Sequence, residues 1–198
     1  MSTAELPMRH TVAALVQDKP GVLNRVASLF RRRGFNIESL AVGSTEEVGI
    51  SRMTFVIEGG DGIVEQVEKQ LYKLIDVVKV SDLTKEDAVI RELALIKVRC
   101  RPEQRREVLD LVEIFRAQSV DVTQNGMVIQ LVAQPDTVDG LLENLRPYGI
   151  REMVRTGQIA ITRGVKTTSA NKSESTATAR FHQESGRRPE GNLPYVSK

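Results

Sequence analysis

The chain has 198 residues, of which 40% are hydrophobic and 27% charged, so it is long enough for one large domain or two small ones. It lacks Trp and holds only 4% aromatic residues, which argues against a surface that stacks bases or sugars. Six of its 28 basic and three of its 26 acidic residues lie in residues 164–198. The rest of the chain is therefore slightly acidic, which argues against a nucleic-acid partner.

No part of the sequence approaches the roughly 20 consecutive apolar residues that a membrane span requires. Residues 1–8 contain no long apolar run, so we predict no signal peptide. The single cysteine excludes an internal disulfide and fits a reducing compartment. These features predict a cytoplasmic protein without a membrane partner.

The first half of the chain predicts the order strand, helix, strand, strand, helix, strand. Pro20 suits the first turn of the first helix, and Gly34 suits a left-handed cap at its end. Met53, Phe55 and Ile57 alternate with less apolar residues, as expected of a strand. The predicted strands are residues 9–17, 36–43, 50–57 and 77–83, and the predicted helices are residues 22–33 and 63–75.

The same order returns in the second half. Asn125 and Gly126 form a strong hairpin signal between two strands. The predicted strands are residues 91–99, 120–123, 127–133, and 150–154 with 158–162, with a break at Gly157; the predicted helices are residues 103–117 and 135–146.

An internal repeat of about 80 residues follows from this order. We predict an α+β protein of two tandem ferredoxin-like βαββαβ domains, residues 9–83 and 91–164, joined by a linker at residues 84–87. Residues 165–198 are rich in Ser, Thr and Lys and poor in apolar side chains. They predict a disordered tail.

Few residues could carry chemistry. His10 and His182 are expected to be structural or solvated, and Cys100 is expected to be an unreactive thiol. The glycine-rich residues 59–62 fit a plain turn, and residues 31–33 (Arg-Arg-Arg) fit a solvated helix end. No spacing resembles a zinc site or a phosphate-binding loop, so we predict neither a catalytic site nor a metal site.

One segment suggests ligand binding. Residues 18–21 (Asp-Lys-Pro-Gly) lie where the first strand leads into the first helix. The N–H groups of Gly21, Val22 and Leu23 lack helical partners there and could hold the carboxylate of a free amino acid. Asp18 could hold its ammonium group, and Leu23, Ile37 or Met53 could contact its apolar side chain. The alternative is that Asp18 only caps the helix.

This segment resembles the ACT domain, a small amino-acid-sensing module of this βαββαβ order. Asp18, Pro20, Gly21 and Leu23 match the Asp-x-x-Pro-Gly type of motif, although the spacing is one residue shorter. More specifically, the chain resembles the acetolactate synthase (acetohydroxyacid synthase) small-subunit family from about residue 9 to residue 164. The segments that carry the resemblance are residues 33–40 (RGFNIESL), 51–54 (SRMT), 91–98 (RELALIKV), 114–117 (IFRA), 121–122 (DV), 148–152 (YGIRE) and 155–157 (RTG).

The resemblance implies a non-catalytic regulatory subunit of branched-chain amino acid (valine, isoleucine, leucine) biosynthesis. It implies a homodimer formed through the first domains, with valine bound between the chains. It also implies a large catalytic subunit as partner, which the small subunit activates and renders sensitive to feedback inhibition. The resemblance further implies that thiamine diphosphate, Mg²⁺ and FAD belong to that partner. The implied valine-binding residues are Asp18, Lys19, Pro20, Gly21, Val22 and Leu23 of one chain with Asn36 and Ile37 of the other.

Two other function classes remain open from the residues alone. A free-standing ACT regulator would need an output module, and the sequence offers none. An enzyme with a site formed between chains would need convergent titratable groups, which two scattered histidines do not supply.

Overall fold

The computed structural model describes residues 8–60 and 62–164, and the predicted disordered tail lies outside these residues. The first six elements are β1 (Met8–Gln17), α1 (Val22–Arg33), β2 (Ile37–Ser44), β3 (Ile50–Gly59), α2 (Ile63–Leu71) and β4 (Val77–Asp82). The next seven are β5 (Ala88–Arg99), α3 (Arg105–Ile114), β6 (Gln118–Thr123), β7 (Gly126–Ala133), α4 (Pro135–Leu145), β8 (Ile150–Arg155) and β9 (Ile159–Thr162). Short 3₁₀ turns occupy Pro102–Gln104 and Arg146–Tyr148.

The first domain is an antiparallel sheet in the order β2-β3-β1-β4. Alternate side chains of β1 and β3 pack with the apolar stripes of α1 and α2, because successive strand residues point to opposite faces. Phe30 of α1 stacks on Phe55 of β3 with ring centroids 5.0 Å apart. The buried core of this domain comprises Val12, Ala14, Val16, Val22, Val26, Leu29, Phe30, Met53, Phe55, Ile57, Val67, Leu71 and Val80.

The second domain repeats this design in a sheet of order β6-β7-β5-β8, with α3 and α4 packed on the core. Each domain has a register shift near the end of its central strand, at Leu15/Val16 in β1 and at Lys97/Val98 in β5. The hydrogen bonds at these strand ends also correspond, because Gln17 N–H donates to Asp76 O and Arg99 N–H donates to Gly149 O. Two tandem ferredoxin-like domains are therefore present, as predicted.

The strand predicted to begin at residue 91 begins earlier, at Ala88. Residues 88–91 pair with β9, and the remainder of β5 enters the second sheet. Ala160 of β9 and Ile90 of β5 pack with Ala13 and Leu83 of the first domain. The β5–β9 pair thus covers part of the face of the first sheet that the helices leave open. The break expected at Gly157 is present, with φ +82°.

Three predicted helix boundaries require correction. The second helix ends at Leu71 instead of residue 75, because the chain turns before β4. The third helix begins at Arg105, after the turn that Pro102 starts, and ends at Ile114 instead of residue 117. Arg116 then takes φ 55°, which redirects the chain into β6. The longest α-helix of the described part, α1, has 12 residues, and no helix there could cross a membrane.

Candidate ligand site at the start of the first helix

The turn between β1 and α1 is held by backbone hydrogen bonds on both sides. Gln17 N–H donates to Asp76 O at 2.8 Å, and Asp18 N–H donates to Gly49 O at 2.8 Å. Gly21 is the N-cap of α1 and has φ +85°, in the left-handed region that favours glycine. The predicted site residues 18–23 therefore form one rigidly anchored turn, called here the helix mouth.

The structure contradicts the alternative role of Asp18 as a helix cap and the predicted place of Pro20 in the first helical turn. Asp18 does not cap the helix, because Gly21 occupies the N-cap position and no side chain bonds there. Pro20 precedes the N-cap and lies outside the first helical turn, since α1 begins at Val22. With capping excluded, the exposed Asp18 carboxylate is left for another partner.

The amide groups of the helix mouth differ in their availability. Val22 N–H donates to Lys19 O at 3.3 Å, and Arg25 N–H donates to Gly21 O at 2.9 Å. Gly21 N–H and Leu23 N–H, which are both described, find no acceptor in the structure. Two of the three predicted amides can thus receive an anion from solvent.

Arg25 adds a positive charge that the sequence analysis did not identify. A Cβ atom placed on Gly21 would lie 3.2 Å from Arg25 Nη1, so this guanidinium borders the helix mouth. Its Nε donates to Asp76 Oδ2 at 2.7 Å. An arginine one turn into the helix was the only sequence signal, and its anchor lies 51 residues away.

The apolar side of the site also differs from the prediction. Met53 is only 2% exposed and belongs to the core, so it cannot contact a ligand. Leu23 is 46% exposed beside the helix mouth. Val42 of β2 pairs with Met53 in register and is 48% exposed, because the helices leave this edge uncovered. Leu23 and Val42 are therefore among the apolar side chains open to solvent at this end of the sheet.

The second group of predicted site residues lies far from the helix mouth within one chain. Gln17 pairs with Ile50 of β3, whereas Ile37 pairs with Ile57. These two β3 positions are separated by about 24 Å at the usual strand rise. Asn36 lies beside Ile37 and donates from Nδ2 to Glu58 Oε2 at 3.2 Å. A single chain cannot bring Asn36 and Ile37 to the helix mouth.

The other residues considered from the sequence form no second site. His10 is buried with Nε2 3.3 Å from Gly59 O, and Cys100 is fully buried. Arg31, Arg32 and Arg33 lie exposed in the last turn of α1. His182 falls outside the described residues, among which no group of His, Cys, Asp or Glu could hold a metal ion.

Known families match both domains. A family described as the small subunit of acetolactate synthase matches residues 91–164, and one described as an AHAS small subunit-like ACT domain matches residues 12–79. The chain belongs to the acetolactate synthase small-subunit family. This membership supports a regulatory role in the acetolactate synthase complex and a chain that carries no cofactor of its own.

This chain aligns with individual small subunits of the family over nearly their whole lengths. The chain is 55% identical over 159 residues to a probable acetolactate synthase small subunit of Archaeoglobus fulgidus, covering 80% of this chain and 99% of that one. It is 48% identical over 163 residues to the acetolactate synthase small subunit of Mycolicibacterium smegmatis, covering 82% of this chain and 96% of that one. The crystal structure of the Thermotoga maritima small subunit is similar with TM-score 0.75 and 43% identity, covering 80% and 99%.

Proposed function

We propose that this chain is the valine-responsive regulatory subunit of acetolactate synthase in branched-chain amino acid biosynthesis. It activates a large catalytic subunit in the cytoplasm and makes that subunit sensitive to feedback inhibition by valine. The catalytic subunit supplies thiamine diphosphate, Mg²⁺ and FAD. Valine binds where two copies of the first domain meet, at Asp18, Lys19, Pro20, Gly21, Val22 and Leu23 of one copy and Asn36 and Ile37 of the other.

The separation of the two groups of site residues supports a shared site. β2 is an edge strand of the first sheet, so its outer backbone groups can pair with another strand. Antiparallel pairing of β2 with β2 of a second copy brings the start of one strand to the end of the other. The end of β2 lies beside the helix mouth, because Ser44 pairs with Ser51 and Gln17 pairs with Ile50. Ile37 of the second copy then reaches the helix mouth.

The chemistry of the helix mouth fits a small apolar amino acid. The free N–H groups of Gly21 and Leu23 and the charge of Arg25 attract a carboxylate. The exposed Asp18 carboxylate attracts an ammonium group. Leu23 offers an apolar surface to the side chain. One methylene changes affinity by only about 1–3 kcal/mol, so leucine and isoleucine act as weaker effectors.

Regulation follows from linkage between ligand binding and pairing. A ligand held by both copies binds the paired arrangement more tightly than the separated one. A coupling free energy of about 1–3 kcal/mol gives a 5–150-fold effect on the partner site. No covalent chemistry is needed in this chain.

A mixed-dimer experiment tests the shared site. Gly21→Asp introduces a carboxylate that repels the ligand's own, and Asn36→Asp alters the strand start that faces the mouth of the other copy. Each variant alone should lose valine binding in isothermal titration calorimetry. After the two are unfolded and refolded together, about a quarter of the wild-type sites should return, because half of the dimers are mixed and each has one intact site.

The outcomes are distinct. No recovery in confirmed mixed dimers would contradict a shared site, since a site within one chain is defective in both variants. Absence of calorimetric heat for the wild type with valine, leucine and isoleucine would contradict the whole proposal. Failure to co-purify with a thiamine-dependent catalytic chain would instead favour a free-standing ACT regulator.

A further inference from the structure

The turn between β8 and β9 of the second domain contacts β2 of the first. Gln158 N–H donates to Ser39 Oγ at 3.0 Å. Gly157 lies so close that a Cβ atom there would be 2.7 Å from Ser39 Oγ and 3.2 Å from Leu40 O. Ser39, Gly157 and Gln158 are called here the interdomain tie.

The second domain holds its side of the tie firmly. Arg155, next to the turn, forms ion pairs with Glu92 of β5 and with Asp139 of α4. Glu92 is only 4% exposed, and a buried ion pair of this kind is costly to break. Leu93 N–H donates to Thr156 Oγ1 at 3.1 Å. The turn therefore moves with β5 and α4 as one body.

In the first domain, the tie begins at an irregular part of β2. The β2–β3 register shifts between Ile37 and Ser39, so a β-bulge lies at Glu38. Ile37 belongs to the proposed valine site, and Ser39 belongs to the tie. A ligand at Ile37 would therefore lie only two residues from Ser39.

Space for a relative movement exists beside the tie. A cleft of about 500 Å³ separates Glu38 and Leu40 of β2 from Pro135 and Asp139 of the second domain. A bulged edge strand beside an open cleft can take two arrangements, even though the β5–β9 pair stays packed against the first sheet.

We propose that the interdomain tie transmits valine binding from β2 to the second domain, with Ser39 and Gly157 as positioning residues. The inference rests on the proposed function, since it assigns the path by which the same site acts. A ligand changes the second domain only if the tie differs between bound and free states. A weaker tie should therefore reduce inhibition by valine while valine binding stays unchanged.

The test uses the full chain reconstituted with the catalytic subunit of its own organism. Ser39→Ala removes the acceptor of the Gln158 N–H and keeps the strand backbone. Its valine dissociation constant should stay within about two-fold of wild type, while the valine concentration for half-maximal inhibition rises at least about five-fold. Ser119→Ala, at an exposed serine on edge strand β6 of the second sheet, is the matched control and should change neither value.

Gly157→Ala provides a second variant that forces the two domains apart at the tie. It should also keep valine binding and lose inhibition, and a thermal melt checks that it remains folded. If Ser39→Ala is inhibited at the same valine concentration as wild type, the tie does not transmit the response. If wild type binds valine but Ser39→Ala does not, Ser39 belongs to the site itself and the inference is wrong. A wild-type chain that binds no valine overturns the proposed function and this inference together.

Discussion

Arg25 Nε donates to Asp76 Oδ2 at 2.7 Å and thereby joins α1 to the segment that precedes β4. Asp76 is 7% exposed, and its backbone oxygen also accepts the N–H of Gln17 at the end of β1. One residue thus fixes both the last residue of the central strand and the cation beside the helix mouth. The shape of the proposed valine site depends on this pair.

Asp76→Asn should lower the free energy of unfolding by about 1–2 kcal/mol, because the nearly buried group that pairs with Arg25 loses its negative charge. It should also weaken the response to valine, because the neutral amide oxygen of Asn holds Arg25 beside Gly21 less firmly. Urea denaturation and calorimetric titration measure the two effects. Glu65→Gln is the control, since the exposed Glu65–Lys69 pair of α2 should contribute much less to stability than the Arg25–Asp76 pair. Equal stability of Asp76→Asn and wild type would contradict the importance of the pair.

Gly21→Asp should abolish valine binding without unfolding the chain. Any side chain at φ +85° is strained and meets Arg25, so part of the effect is conformational. Gly21→Asn is the matched control, because Asn has the same shape and Asp and Asn both tolerate left-handed backbone. We expect Asn to bind valine weakly and Asp not at all in calorimetric titration. Equal loss in the two variants would assign the effect to backbone strain alone.

Cys100 should not react with a thiol reagent in the native protein. Its side chain is fully buried and its S–H lies 3.7 Å from Arg101 O, so a reagent reaches it only after local or global opening. The rate of modification with Ellman's reagent should rise with urea concentration. Arg101→Cys in a Cys100→Ala chain places a thiol at an exposed neighbouring position and should react at once. Rapid reaction of native Cys100 would contradict the burial.

The Lys97–Glu152 pair should stabilise the second domain only between acidic and strongly alkaline pH. The hydrogen bond from Lys97, and then its charge, lower the pKa of Glu152, while the same contacts raise the pKa of Lys97. A lowered carboxyl pKa gives stability that is present above the unfolded value and lost as pH falls through the folded one. A raised lysine pKa gives stability that is lost as pH rises through the folded value.

Glu152→Gln should therefore melt slightly below wild type at neutral pH, and the difference should shrink as pH falls from 4.5, the ordinary pKa of this carboxyl group, through the lowered pKa of the folded state. High salt should reduce the difference as well, because both side chains are exposed. Glu143→Gln, at an exposed glutamate with no ion pair in the described structure, controls for loss of charge alone. A difference that persists at low pH would mean that another contact is involved.

Local sequence signals predicted the architecture because each domain depends on short-range patterns. Gly34 takes φ 70° at the end of α1, and the alternation of Met53, Phe55 and Ile57 gives the face of β3 that packs against the helices. The early start of β5 could not be predicted, because residues 88–91 become a strand only by pairing with β9, about 70 residues later.

The helix mouth was predicted from its residues, but its surroundings were not. Arg25 gains its position from Asp76, which is distant in sequence. Periodicity placed Met53 on the apolar side of its strand, but it could not tell that the helices bury this residue. The separation of Asn36 from Asp18 follows from strand register, which a single sequence does not reveal.

β5 serves both domains, because its first four residues pair with β9 over the first sheet while the others form the centre of the second. In a truncated chain that ends at residue 87, Ala13 and Leu83 would lose the residues that bury them, and this apolar surface would be exposed to solvent. The first domain expressed by itself should therefore aggregate unless that surface is redesigned with polar residues.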